Sequence, residues 1–104
     1  MKEIQQRVLA FRDERDWKQY HNEKDLAISI SLEANELLEN FQWRTSEEAI
    51  VESKQNIKEE MADILIYLVQ LADKLEINLE EEVFDKLVKN AIKYPVNRSG
   101  EKVK

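Results

Sequence analysis

The chain has 104 residues, 42% hydrophobic and 37% charged, with a formal net charge of −6. That length and mixture suit one small domain with a single core and exclude a disordered polar chain. No apolar run approaches the roughly 18 residues of a membrane span, and the acidic balance opposes general binding to nucleic acid, whose phosphates would be repelled.

One Gly and one Pro leave little turn chemistry for an all-β fold, so the chain is expected to be all-α. Ile4, Val8 and Phe11, with Leu9 alongside, predict a first helix over roughly residues 2 to 15. DWKQYHNEK follows, polar and aromatic together, and reads as a loop. Asn22 can cap a second helix, with Asp25 three residues on, running to about Asn40. Thr45 and Glu48 form a possible capping box for a stretch from Ser46 to about Leu75. That stretch is either one long helix or two, with a break near Ser53 to Asn56. Asn78 and Glu81 open a last helix, which must stop at or before Tyr94 because Pro95 follows. The organisation expected is one helical domain over 1–95 and a short polar tail over 96–104.

In the third segment, Ile64, Leu65, Leu68, Leu71 and Leu75 share one broad face, while Ile66 and Val69 point away from it. A helix apolar nearly all round is buried nearly all round. Four helices of this length hardly achieve that within one chain, which predicts a homo-oligomer.

Within SLEANELLENFQW, residues 31 to 43, Glu33 projects from the apolar stripe of Leu26, Ile30, Leu37 and Phe41, and Glu36 from its edge. The third segment carries a second acidic pair, Glu60 and Asp63, again three residues apart and thus neighbours on a helix surface. A carboxylate in a core costs several kcal/mol unless it is protonated, paired or bound to a metal. No Lys or Arg lies on the apolar face near Glu33. Such pairs also arise on ordinary solvated faces of acidic helices. Oxygen donors without cysteine suit a hard cation, Mg²⁺ or Mn²⁺. A di-iron bundle is excluded, because it needs Glu-x-x-His on two helices and the only histidine, His21, has Lys18 three residues before it. The absence of cysteine also excludes disulfides. With no basic-then-apolar leader in MKEIQQRVLAFRDERDW, it points to the cytoplasm.

Four blocks in order, ERDWKQYH, SLEANELLENFQWR, EEMADILIYLVQLA and NAIKYPV, resemble the MazG-like nucleotide pyrophosphohydrolases, most nearly the dCTP pyrophosphatase branch. The resemblance covers roughly residues 4 to 98. It implies a four-helix all-α NTP pyrophosphatase bundle, completed by oligomerisation as a dimer or a dimer of dimers. It implies Mg²⁺ held by Glu33, Glu36, Glu60 and Asp63, with Glu33 or Glu36 also orienting the attacking water. A (deoxy)nucleoside triphosphate, dCTP or a modified cytosine nucleotide, would be split between its α and β phosphates.

Trp17, Tyr20, His21, Trp43 and Tyr67 are candidates for the organic half of such a substrate, since a base gains roughly 1–3 kcal/mol by stacking on an aromatic ring. Ordinary packing is the competing explanation for Trp43 and Tyr67, and plain surface exposure for His21. The resemblance directs Trp17, His21 and Trp43 towards the base. It adds Asn90 and Lys93 as polar substrate contacts. The alternatives are a helical interaction module without catalysis, or a nucleotide-binding sensor that has lost turnover.

Overall fold

A computed structural model describes residues 1–96. Among them four helices follow one another: α1 (Lys2–Glu14), α2 (Glu23–Glu39), α3 (Ser46–Lys74) and α4 (Leu79–Lys93). The tail expected over 96–104 lies, from Asn97 onward, outside the described residues.

Local chemistry sets the helix starts. The Asn22 side chain accepts from the Asp25 N–H at 2.8 Å, and Asn78 accepts from the Glu81 N–H at 3.1 Å. At Thr45 the box is reciprocal: the Glu48 N–H donates to Thr45 Oγ1 at 3.1 Å, and the Thr45 N–H donates to Glu48 Oε1 at 3.2 Å. Each cap satisfies N–H groups that the helix itself leaves without partners. The corners between helices run through positive φ at Asp16 (56°), Trp43 (62°) and Glu76 (55°), conformations that usually fall to glycine.

The third segment is continuous in outline and broken at one point. Ser53 leaves the helical region, at φ −128° and ψ 18°. A short stem, from Ser46 to the break, is therefore hinged onto the long apolar rod that follows.

α2 and α3 form the main packed pair, and α1 lies against α3. They run antiparallel, as the cross-links show. Asn56 Nδ2 donates to Asn40 Oδ1 at 2.8 Å near one end. Lys74 Nζ donates to the Lys18 carbonyl at 2.9 Å at the other. α1 is pinned by Arg12, only 3% exposed, whose Nη1 is 2.8 Å from Asp73 Oδ2 on α3. Arg12 also holds Asp13, Nε to Oδ1, at 3.0 Å.

The core of the single chain is small: Leu26, Ala49, Val69 and Ala72 are its buried apolar residues among those described. No residue of α4 is buried, and Val83, Phe84, Leu87, Val88 and Ile92 all face solvent. The radius of gyration is 17.3 Å, against about 12–13 Å for a compact chain of this size. α3 is accordingly left partly uncovered within one chain, as its apolar circumference implies. Ile66 and Leu75 are exposed, and Ile64, Leu65, Leu68 and Leu71 only half-buried. The physical reason is α4, which does not fold back over α3. An apolar cleft of about 390 Å³, lined by Met1, Leu65, Leu68, Leu79, Val83 and Phe84, opens between them instead.

Candidate metal centre

The apolar stripe that turns α2 towards α3 also turns Glu33 inward. Leu26 is buried, and Ile30, Leu37 and Phe41 are half-buried along the same line. Glu36, one turn further on, stays exposed at its edge. The antiparallel seam sets Glu60 of α3 opposite them. One carboxylate oxygen from each of Glu33, Glu36 and Glu60 lies within 4.8 Å of the other two.

Electrostatics make this trio an unstable arrangement by itself. The Oε2 atoms of Glu33 and Glu60 are both buried, and no N–H group among the described residues donates to either. The Glu33 carboxyl is pushed up from an ordinary 4.5 to about 7. The largest cause is the Glu60 carboxyl, close enough to share its proton. Burial comes next, then the Glu36 carboxyl and the two charges. Three carboxylates, with no nitrogen or sulfur donor among them, match the ligand preference of a hard divalent cation. The orphaned oxygens are what such a cation would satisfy.

Asp63 stands outside this group of three. It follows Glu60 by three residues, so it sits some 60° round the helix axis. It remains half-buried, and its charge is felt by Tyr67. Burial chiefly, and then the charges of Glu33, Asp63 and Glu36, raise the Tyr67 hydroxyl above its usual range. Tyr67 is therefore a proton-bearing neighbour of the acids.

The aromatic loop between α1 and α2 closes on itself. The Trp17 ring meets Phe11 edge-on at 5.7 Å and His21 at 6.0 Å. The Arg15 guanidinium lies over the Phe11 ring at 3.5 Å. His21 is half-buried, and its Nδ1 has no hydrogen-bond partner among the described residues.

Three further expected substrate residues have other surroundings. Trp43 is fully exposed in the α2–α3 corner. Asn90 lines an apolar cleft with Val83 and Leu87 on α4, and Lys93 leans over the Tyr94 ring at 5.3 Å. Other residues lie beside the acids without having been singled out from sequence. Asn40, Arg44, Ser53 and Asn56 border a polar cavity of about 260 Å³ against Glu36, Glu39 and Glu60. The one signal for them is the interruption expected near Ser53 to Asn56.

Fold and site together define an all-α protein with an acidic, cation-ready hollow between two antiparallel helices. Residues 28–104 match the family described as MazG-like, and the chain belongs to the MazG-like family. It is 36% identical to a protein of Bos taurus named dCTP pyrophosphatase 1, over 95% of this chain and 62% of that protein. For the human protein of the same name the identity is 33%, over 93% and 60%. The chain thus spans less than two thirds of the length of these curated relatives. A crystal structure of a pyrophosphatase from Archaeoglobus fulgidus superposes with a TM-score of 0.84 at 48% identity, covering 91% of this chain and 92% of that one.

Proposed function

We propose that this chain is a nucleoside triphosphate pyrophosphohydrolase dependent on Mg²⁺, with Mn²⁺ as substitute, acting on dCTP or a modified cytosine deoxynucleotide. The observation that carries this reading is the set of unpartnered, buried carboxylate oxygens of Glu33 and Glu60, closed into one group with Glu36. The names of the relatives support the substrate class.

Glu33, Glu36 and Glu60 would hold the cation, with Asp63 completing the set. Bound there, it would supply the positive charge that lets an acidic hollow accept a polyphosphate and would acidify a nearby water. Glu33 or Glu36 orients that water and takes its proton. The water oxygen bonds to one of the phosphorus atoms flanking the α–β bridge, the bridging bond breaks, and pyrophosphate and the monophosphate depart. Tyr67 reaches the sugar or a phosphate with its hydroxyl, while Trp17 and His21 bracket the base.

Trp43, Asn90 and Lys93 serve a neighbouring copy in this reading. The exposed apolar face of α4 and the open layout of the chain support a homo-oligomer, dimer or tetramer, in which those residues meet another chain's acids. No described helix is long and apolar enough to cross a membrane. The cytoplasm remains the expected location.

The test is incubation with dCTP and Mg²⁺, followed by separation of products, with 5-methyl-dCTP and dUTP alongside. dCMP with pyrophosphate is expected. Formation of dCDP with orthophosphate, or no turnover of any nucleotide, would refute the assignment. Tight binding without product would instead mark a sensor.

A further inference from the structure

The α2–α3 seam has a direction. Lys18 meets Lys74 at one end, Glu33 and Glu60 meet at the centre, and Asn40 meets Asn56 at the other end. Trp17 and His21 stand at the Lys74 end. From Glu60, Tyr67 lies about 10 Å along the rod towards that end, and Asn56 about 6 Å the opposite way. A nucleotide has the same order: flat ring, sugar, then phosphates. With its base at the aromatic end and its reacting phosphate at the acids, the remaining phosphates must extend towards Asn40 and Asn56.

At that end lies the polar cavity of about 260 Å³, with Glu36, Glu39 and Glu60 in its wall. Among the described residues that line it, Arg44 carries the positive charge. Arg44 Nη1 donates to Ser53 Oγ at 2.9 Å and lies 3.5 Å from Glu52 Oε2. The helix is interrupted at the same Ser53 whose hydroxyl accepts from Arg44. Asn40 is buried, with its side chain tied to the Glu36 and Leu37 carbonyls at 3.2 and 3.3 Å and to Asn56. Donors on a fixed frame and a planar guanidinium fork suit phosphate oxygens. The acids on the inner wall explain why the pocket needs the cation first.

We infer that this cavity is the seat of the departing pyrophosphate, with Arg44 as its binding residue and the break at Ser53 as the feature that makes room for it. The inference rests on the pyrophosphohydrolase reading. Arg44 exchanges its partly exposed contact with Glu52 for the phosphate oxygens, and Ser53 and Asn56 donate hydrogen bonds beside it.

Calorimetric titration of the full chain in Mg²⁺ with inorganic pyrophosphate, and separately with dCMP, tests it. Arg44→Gln should weaken pyrophosphate on the order of tenfold or more, the worth of a charge-assisted hydrogen bond. Its affinity for dCMP should stay within about twofold. Glu52→Gln, which releases Arg44 from a competing ion pair, should tighten pyrophosphate by about twofold. Unchanged pyrophosphate affinity in Arg44→Gln, or equal loss for both ligands, would overturn the inference. Should Arg44→Gln lose its helical circular dichroism, Glu52→Gln decides, and no tightening there overturns it. The two readings fail separately. A wild type that hydrolyses no triphosphate, yet binds pyrophosphate through Arg44, removes the function and leaves the site. Turnover with pyrophosphate binding indifferent to Arg44 does the reverse.

Discussion

Replacing Glu33 by glutamine should stabilise the cation-free protein at alkaline pH. The Glu33 carboxyl titrates near 7 in the fold and near 4.5 otherwise. Because the folded value is the higher one, its contribution is fully present below about 4.5 and is lost as pH climbs through 7. At about 1.4 kcal/mol per pH unit the difference is worth roughly 3 kcal/mol at most, and solvent screening of a partly exposed group reduces that to about 1–2 kcal/mol. In a domain of this size that is a fall in Tm of roughly 5–15 °C between pH 5 and 8. Glu33→Gln keeps the shape and removes the charge, so its pH profile should be flatter and its Tm at pH 8 in chelator higher than that of the wild type. Added Mg²⁺ should raise the wild type by mass action and leave the variant nearly unmoved. Thermal denaturation followed by circular dichroism, at fixed protein concentration, reads all of this. Parallel pH profiles for the two proteins would refute the shared-proton picture of the acids.

Removing divalent cations with chelator should abolish turnover of dCTP, and Mn²⁺ should restore it, measured as pyrophosphate released. Arg12→Met deletes the guanidinium that joins α1 to Asp73 on α3, and should lower stability by about 2 kcal/mol in urea unfolding. Phe84→Glu or Leu87→Asp on the exposed face of α4 should shift the sedimenting species towards the mass of one chain, with a parallel loss of activity.

The parts of this molecule legible in the sequence are those decided over three or four residues. Asn22, Thr45 and Asn78 cap their helices because the bonded N–H lies three positions along the same backbone. Glu33 could be seen among apolar neighbours because helical period alone puts it there. The pairing with Glu60 depended on the packing of two helices, which the two acidic spacings foreshadow. Asp63 shows the limit. Equal spacing on α3 could not reveal that a Glu60 oxygen closes with those of Glu33 and Glu36 while the Asp63 charge lies beside Tyr67. Arg44 and Asn56 come together only once the chain has turned its corner. The apolar circumference of α3 points to incomplete cover within one chain, but no periodicity specifies which surface the apolar face of α4 meets.

Asp16, Trp43 and Glu76 take the left-handed bends of a chain whose single glycine lies elsewhere. Each such bend costs on the order of 1–2 kcal/mol in an ordinary residue. The molecule therefore carries untapped tolerance to heat in its corners. Asparagine at position 16 or 76 would draw on it with less penalty in the unfolded chain than glycine. At position 43 the same bend holds a whole indole out into water, and easing it would also loosen the aim of that ring.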